Sequence, residues 1–298
     1  MAIFAELRGV KAPGADELGA HVSTEGGVDR APARAAALDA VVLQLFTKQP
    51  SRWAEPKLEQ ATIEAFRSER RAHGIALAAS HDSYLINLSS PDPRLWRRSQ
   101  RSFAAELDRC AALGLDCLVT HPGNATDGDL AVGIERNAKG IAESLVAAEG
   151  RVQLVLLELT AGSGTSVGGS FENLRAILDA IPSGPRERVG VCFDTCHGYS
   201  AGYDLVTDYD GVWTKFDEVL GLERLRLIHM NDSKHALGSR KDRHEAIGEG
   251  TLGREPFRRI MEDERLRAVP KVLETPKGDD GVSADRANLA LLRGFRLR

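Results

Sequence analysis

Three absences in the sequence narrow the class of protein. Aromatic residues make up only 5% of the 298 residues, which is unlike a protein built around large apolar interfaces. No apolar run approaches the ~18 residues of a membrane-spanning helix, and residues 1–17 lack the apolar core of a secretory signal. We therefore expect no membrane association and a cytoplasmic location.

Cysteine is also scarce, and the chain has no surplus of basic residues over acidic ones. The four cysteines form no Cys-x-x-Cys pair, and the chain is too long for a disulfide-stapled scaffold, so we expect free, buried thiols. The formal net charge is −4, whereas nucleic-acid-binding proteins usually carry a basic surplus. A nucleic-acid partner would therefore have to be held locally, and bound divalent cations could supply the positive charge.

The sequence does contain short apolar runs that alternate with longer amphipathic stretches. Most runs are continuous blocks of Val, Ile, Leu and Ala, as in strands buried on both faces of a parallel sheet. Eight such alternations favour an α/β fold, a (β/α)8 TIM barrel in a single domain. We predict strands over residues 18–23, 40–47, 75–83, 116–123, 152–160, 188–197, 225–232 and 270–276. The barrel domain would span 18–298, after an N-terminal extension over 1–17.

Polar side chains stand where these predicted strands end. In a barrel the carboxyl ends of the strands converge on one face, where active sites are built. The residues concerned are His81, His121, Glu158, Asp194, His197, His229 and Glu274. His21 closes the first strand and could face the same rim, whereas we expect His73 and His235 to be solvated.

The stretch GSRKDRHEAIGEG, residues 238–250, adds Asp242 and His244. In an extended segment, residues i and i+2 point the same way, so this pair could grip a cation. The alternative is a solvated charged loop. Asp194 and His197 are similarly open to two interpretations, as metal ligands or as a turn with an aspartate cap.

The chemistry of this set favours metal ions. Four carboxylates on one rim would repel one another, and five imidazoles alone would not neutralise them, whereas divalent cations would. Oxygen and imidazole donors without cysteine suit Zn²⁺ or Mn²⁺ in a catalytic role. The set is large enough for two or three ions, the arrangement that cleaves phosphodiesters. The residues thus predict metal-dependent hydrolysis.

At this point the sequence resembles the endonuclease IV family of zinc-dependent apurinic/apyrimidinic (AP) endonucleases, over about residues 18–295. The motifs that carry the resemblance are GAHVS-x-x-GG, QLFTK, HDSYLINL, HPG, TAG-x-G, GVC-x-DTCH, AGYDL, HMNDSK, GSRKDRHEAIGEG and LETP.

The resemblance implies three clustered divalent ions, Zn²⁺ with Mn²⁺ as an option at one or more sites. The implied sites are His81, His121 and Glu158; Glu158, Asp194, His229 and Glu274; and His197, Asp242 and His244. Glu158 and Glu274 would be the catalytic carboxylates. The implied activity is hydrolysis of the phosphodiester 5′ to abasic sites in duplex DNA, with trimming of blocked 3′ ends, by a monomer in base excision repair.

The resemblance also implies DNA contacts, with two departures from the family pattern. Tyr84 and Leu85 would wedge into the duplex, the alternative being a pair packed on the surface. The family inserts an arginine after QLFTK, but here Ser51 occupies that position and Arg52 lies beside it, so either Arg52 takes that role after a loop shift or the contact is lost. Leu159 follows Glu158 where the family usually has asparagine, so we expect a hydrogen-bond donor near the metals to be missing.

Two other functions compete with this interpretation. A single-metal TIM-barrel sugar isomerase or epimerase would need only a set like Glu158, Asp194, His229 and Glu274. It would have no use for the remaining donors. A damage-binding module that recognises abasic DNA without cutting it would be favoured by a missing ligand, and none is missing.

Overall fold

The computed structural model describes residues 17–148 and 154–296. Its strands are β1 (Leu18–His21), β2 (Val42–Phe46), β3 (Leu77–His81), β4 (Cys117–Thr120), β5 (Leu154–Glu158), β6 (Val189–Asp194), β7 (Leu225–His229), β8 (Asp232–Ser233), β9 (His244–Glu245) and β10 (Lys271–Leu273). Its α-helices are α1 (Ala31–Ala36), α2 (Gln60–Ala72), α3 (Pro93–Leu113), α4 (Leu130–Ala147), α5 (Phe171–Ala180), α6 (Ser183–Arg186), α7 (Thr195–Ala201), α8 (Tyr209–Leu220), α9 (Glu255–Glu262) and α10 (Ser283–Arg296). Single 3₁₀ turns lie at Val28–Arg30 and Leu222–Arg224.

Eight of the strands close into a parallel barrel in the order β1-β10-β7-β6-β5-β4-β3-β2. This confirms the predicted TIM barrel, and each barrel strand lies within one of the predicted runs. The remaining strands, β8 and β9, form a small antiparallel hairpin beyond β7. Residues 1–16 and 297–298 lie outside the described part of the chain, so the boundaries of the predicted extension and domain stay predictions.

Alternation along the strands creates two apolar layers. On β5, Val155 and Leu157 point outward into the large core beneath the helices, whereas Leu156 points into the barrel. These three side chains are fully buried, so they are not exposed to solvent on either face of the strand. The continuous apolar runs in the sequence follow from this, because both faces of every strand are covered.

Local signals set where the helices begin and where strands approach closely. The carboxylate of Asp92 accepts a hydrogen bond from the backbone N–H of Arg94 at 2.8 Å and so caps α3, with Pro93 in its first turn. Helix α3 ends at Leu113 and is capped by Gly114, which adopts the left-handed conformation with φ 71° that glycine tolerates best. At Gly19 on β1 a Cβ atom would lie 1.7 Å from the carbonyl oxygen of Val42, so only glycine fits between β1 and β2.

Two expectations from composition can be compared with the described residues. All four cysteines are free and buried, as predicted. Within residues 17–148 and 154–296, none of the helices has the length and apolar character that crossing a bilayer requires.

Candidate metal centre

Every barrel strand contributes a polar side chain at or near its carboxyl end, and these side chains form one cluster. They are His21, Gln44, His81, His121, Glu158, Asp194, His229 and Glu274. The loops add His197 in the first turn of α7, His244 on β9 and Asp242 two residues before it. The structure therefore brings together all of the predicted metal ligands on the expected face of the barrel.

The first group consists of His81, His121 and Glu158, whose donor atoms lie within 4.8 Å of one another. Oε2 of Glu158 lies 3.1 Å from Nε2 of His81 and 3.3 Å from Nε2 of His121. Both imidazoles thus address the same carboxylate oxygen. This arrangement matches the first implied site.

The second group consists of Glu158, Asp194, His229 and Glu274. Nδ1 of His229 lies 3.1 Å from Oε1 of Glu158, 3.1 Å from Oε2 of Glu274 and 3.7 Å from Oδ2 of Asp194. Three carboxylates therefore face one imidazole nitrogen. Since Glu158 belongs to both groups through different oxygens, it is positioned to bridge two ions.

The third group differs in detail from the implied set. Donor atoms of Asp194, His197 and His244 lie within 4.8 Å of one another. Asp242 contacts each imidazole separately, at 3.2 Å from Nε2 of His197 and 3.4 Å from Nε2 of His244. The i, i+2 pair in the charged loop thus meets as expected, and Asp194 joins it.

Asp194 makes contacts that suit both of the roles left open by the sequence. Its Oδ1 accepts a hydrogen bond from the backbone N–H of His197 at 2.9 Å and caps α7. Its Oδ2 lies 3.6 Å from Nε2 of His244. The cap therefore fixes the start of α7, which carries His197, while the other oxygen faces the cluster.

The second nitrogen of most of these imidazoles is held by the protein. Backbone carbonyl oxygens lie next to Nδ1 in three of them: that of Asp82 at 3.0 Å from His81, that of Leu159 at 3.0 Å from His197, and that of Glu274 at 3.2 Å from His244. A carbonyl accepts only from a protonated nitrogen, so in these three residues Nε2 is the nitrogen that faces the carboxylates. In His229 the roles reverse, because its Nε2 lies 2.9 Å from Oε1 of Gln44 and Nδ1 faces the carboxylates.

Sequence reasoning assigned no role to three residues that support this cluster. Gln44 donates a hydrogen bond to Oε1 of Glu274 at 2.6 Å, and Asn231 donates to Oδ2 of Asp194 at 2.7 Å. Asp232 accepts from the backbone N–H groups of Gly248 and Gly250 at 3.0 Å each, which closes the charged loop onto the hairpin. A signal for Gln44 was present, since it is a lone polar residue inside the run AVVLQLFT.

The carboxylates of the cluster create a negative potential that favours positive charge on the groups around them. Burial raises the pKa of Glu158, but His229 and His121 outweigh burial and hold that pKa well below its usual range. Burial lowers the pKa of His81, but Glu158 and Glu274 outweigh it and raise that pKa to about 9. The negative charge of these carboxylates is balanced either by protonation of the neighbouring imidazoles or by bound metal cations.

Unmatched donor atoms complete the test of whether the residues fit metal ions. Nε2 of His197 and of His244 are buried and make no hydrogen bond of good geometry within the described residues, although Asp242 lies within ion-pair distance of both. Imidazole nitrogens and carboxylate oxygens without thiolates are the donor set of catalytic zinc sites. The residues present therefore fit a cluster of divalent cations.

The predicted DNA-contacting residues surround this cluster. Tyr84 is 67% exposed, and its ring lies 5.4 Å from that of Phe46 and 6.3 Å from that of His81. Leu85 is half-buried, and Arg52 is exposed. Both loops that carry them follow strands of the same rim, β3 and β2.

One expectation about the metal surroundings was wrong. Leu159 is fully buried and packs in the core beneath the helices, so its side chain points away from the cluster. Only its backbone carbonyl reaches the cluster, at His197. A hydrogen-bond donor at position 159 would not face the cluster. The leucine therefore does not deprive the rim of a hydrogen-bond donor.

The other histidines divide as follows. His21 lies 3.2 Å from Oε1 of Glu274 and so faces the site. His73 is exposed beside Glu69, as expected. His235 is half-buried rather than solvated, because it lies in the loop that Ser233 and Thr251 hold by hydrogen bonds to its carbonyl oxygen.

Several known proteins are similar to this chain in sequence and in fold. A family model for the xylose isomerase-like TIM barrel matches residues 31–294. A protein from Trichlorobacter lovleyi named "Probable endonuclease 4" is 46% identical over 282 residues, which is 94% of this chain and 99% of that protein. The crystal structure of endonuclease IV from Thermus thermophilus matches with a TM-score of 0.83 and 38% identity, over 93% of this chain and 98% of that one.

The chain belongs to the endonuclease IV family. Membership confirms the resemblance and the predicted activity of an AP endonuclease, a metal-dependent hydrolase that cleaves DNA. A D-psicose 3-epimerase from Clostridium cellulolyticum also matches with a TM-score of 0.65, over 93% of this chain and 96% of that one. Its identity of 17% limits that likeness to the fold.

Proposed function

We propose that this endonuclease IV relative holds three divalent ions, Zn²⁺ with Mn²⁺ as an option, and hydrolyses the phosphodiester 5′ to an abasic site in duplex DNA. Trimming of blocked 3′ ends at the same site, a monomeric state and a cytoplasmic location are part of the proposal. The residues proposed to hold the ions are His81, His121, Glu158, Asp194, His197, His229, Asp242, His244 and Glu274.

One observation carries the proposal: three groups of donors overlap through shared carboxylates. Glu158 belongs to the first and second groups, and Asp194 belongs to the second and third. Shared carboxylates bring ions close together, and closely spaced ions suit phosphodiester cleavage. When bound, such ions supply Lewis acidity that activates water and stabilises charge on the phosphate.

The two proposed catalytic carboxylates, Glu158 and Glu274, differ in how accessible their side chains are. Glu158 is fully buried, and both of its oxygens face imidazoles. Glu274 is more accessible, with a side-chain exposure of 16%, and its Oε1 is held by Gln44 and His21. Since burial raises its pKa but His229 and His21 outweigh burial and lower it well below the usual range, Glu274 remains ionised. We therefore assign the orientation of water to Glu274 and the bridging of ions to Glu158.

The DNA-facing residues have complementary roles in this proposal. Tyr84 and Leu85 would fill the gap left when the abasic nucleotide leaves the helix, which stabilises the open duplex. The exposure of Tyr84 beside His81 supports this role. Arg52, exposed in the loop after β2, would take the place of the family arginine that Ser51 does not supply.

The sugar isomerase alternative uses only part of the cluster. The second group alone, Glu158, Asp194, His229 and Glu274, would serve a single ion. A single ion would leave four imidazoles without a metal to bind, those of His81, His121, His197 and His244. The carboxylates of the site nevertheless act on them, since they raise the pKa of His81 to about 9. Their presence favours the multi-ion nuclease.

The test is nicking of a labelled duplex that carries one abasic analogue, before and after chelation. We expect a single cut 5′ to the lesion that chelator abolishes and that Zn²⁺ or Mn²⁺ restores. A cut that persists after complete metal removal would contradict the proposal. So would turnover of a ketose or aldose in place of nicking by the metal-loaded protein.

A further inference from the structure

The amino-terminal half of α3 carries a row of arginines, Arg94, Arg97, Arg98 and Arg101, which we call the α3 arginine row. All four are exposed. Their spacing of three and four residues places them along one side of the helix. Within residues 17–148 and 154–296, none of the four guanidinium groups forms an ion pair or donates a hydrogen bond.

This situation is unusual for the surface of this protein. Many other exposed arginines pair with acids on their own segment, such as Arg175 with Asp179 at 2.8 Å and Arg265 with Asp263 at 2.7 Å. The acid that begins α3, Asp92, is engaged as the helix cap by a backbone N–H group. In a chain of net charge −4, four adjacent unpaired cations form a local concentration of positive charge.

The row is tied to the loops that border the metal centre. The guanidinium of Arg98 lies over the ring of Trp53 at 4.4 Å, and Trp53 directly follows Arg52 in the loop after β2. Helix α3 itself begins at the end of the loop that carries Tyr84. The stacking on Trp53 holds one cation of the row in place without neutralising it.

The neighbouring helix α4 contributes further basic side chains beside the row. Lys139 on α4 lies 5.7 Å from the ring of Trp96, and a shallow cleft lined by Ser90, Pro91, Pro93, Trp96, Arg97, Arg136 and Lys139 separates the two helices. Arg136 is already paired with Asp127 at 2.9 Å. Lys139 lies 3.9 Å from Glu143, within ion-pair distance, so Arg97 is the cation of this cleft that has no acidic partner among residues 17–148 and 154–296.

We propose that the α3 arginine row binds the phosphate backbone of the duplex that flanks the lesion, on one side only. This inference rests on duplex DNA being the substrate. Guanidinium groups bind phosphates with paired hydrogen bonds, and the row is joined to the rim by the contact of Arg98 with Trp53 and by the loop of Tyr84 that leads into α3. From Arg94 to Arg101 the helix rises by about 10 Å, the length of about three base-pair steps.

The test uses the salt dependence of binding to an undamaged duplex, which the metal-loaded enzyme does not cut. Removing one contact to a phosphate reduces the slope of log Kd against log salt by about 0.9. We expect Arg94→Gln/Arg97→Gln to reduce that slope by between about 1 and 2 and to weaken binding. Glutamine keeps the helix propensity close to that of arginine, and Arg94→Lys/Arg97→Lys, which retains the charge, should keep most of the slope.

The charge-matched control is Arg71→Gln/Arg267→Gln, in which Arg267 pairs with Glu264 at 3.1 Å. Both of these arginines are exposed, and they lie at the opposite end of the barrel, at the end of α2 and before β10. The control removes the same net charge, so it should leave the slope unchanged. An equal change in slope for both double variants would mean a diffuse charge effect and would overturn the proposal.

One-sidedness gives a second readout. Abasic duplexes shortened stepwise from either end should lose the difference in KM between wild type and Arg94→Gln/Arg97→Gln when one flank is removed, and retain it when the other is removed. A difference that survives both truncations, or no difference on the longest duplex, would overturn the proposal. Failure of the wild-type enzyme to nick abasic DNA would instead refute the proposed function, because the binding slopes do not depend on cleavage.

Discussion

The interior of the barrel consists of two layers with opposite chemistry. Toward the amino ends of the strands lies an apolar layer of Val42, Ala79, Cys117, Val119, Leu156, Cys192, Leu227 and Val272. Two residues further along, on the same inward face, lie Gln44, His81, His121, Glu158, Asp194, His229 and Glu274. Moving two residues, about 6.6 Å, along each strand thus leads from apolar side chains to mostly ionisable ones.

This comparison shows how the fold tolerates a buried charged cluster. The apolar layer and the outer core provide the hydrophobic burial that stabilises the barrel, whereas the upper layer contributes hydrogen bonds and donor atoms. Substitutions in the two layers should therefore have separable effects on activity and on stability.

The largest expected effect is that of Glu158→Gln in the upper layer. The substitution keeps the shape of the side chain but removes the charge shared by the first and second groups. We expect nicking to fall by about a thousandfold, the scale seen when a key electrostatic group is lost, with the circular dichroism spectrum unchanged. Nicking at the wild-type rate would mean that the metal assignment is wrong.

Leu156→Ala tests the layer directly below. Leu156 is fully buried in the barrel interior, so its truncation should lower the free energy of unfolding by about 2–5 kcal/mol. Denaturant titration measures this loss, and nicking per folded molecule should stay within a few-fold of wild type. A thousandfold loss of nicking at full folding would show that the two layers are not separable.

Gln44→Leu tests the support of the upper layer without touching a proposed ligand. Gln44 accepts from His229 and donates to Glu274, so its loss frees both side chains to rotate. We expect metal affinity to fall by about 10–100-fold, as for other residues that orient ligands, measured by competition with a chromophoric chelator. Gln60→Leu on the surface of α2 is the control, and equal affinities for the two variants would exclude a positioning role for Gln44.

The smallest expected effect is that of Tyr84→Ala at the outer edge of the rim. Loss of an inserted aromatic ring should weaken binding to an abasic duplex by about 1–2 kcal/mol, while the rate of cleavage once bound changes less. Gel-shift titration and single-turnover nicking separate the two quantities. Val146→Ala, on a side chain that is 62% exposed elsewhere, is the control, and unchanged affinity for Tyr84→Ala would count against a wedge.

Most of the barrel and the identity of the cluster could be predicted from the sequence because they depend on local patterns. Continuous apolar runs indicated strands covered on both faces, and a charged or imidazole side chain closing such a run, as Glu158 closes LVLLE, indicated a site at the strand end. The convergence of these ends then followed from the closure of the barrel.

The remaining features depend on geometry that no local pattern contains. The direction of the Leu159 side chain is set by strand alternation relative to Glu158, and counting from that inward carboxylate would have placed it outward. The membership of Asp194 in the third group arises because its two oxygens serve different partners. The stacking of Arg98 on Trp53 joins residues on different loops and helices, which spacing along the chain does not reveal.

The measurement that tests the central claim most directly is the number of metal ions per chain, determined by elemental analysis on the same protein sample that is assayed for nicking. We predict three divalent ions per chain, with nicking lost as the ions are removed and regained as they return. Full nicking activity with a single ion per chain would contradict the account, because it would leave the shared carboxylates Glu158 and Asp194 with nothing to bridge.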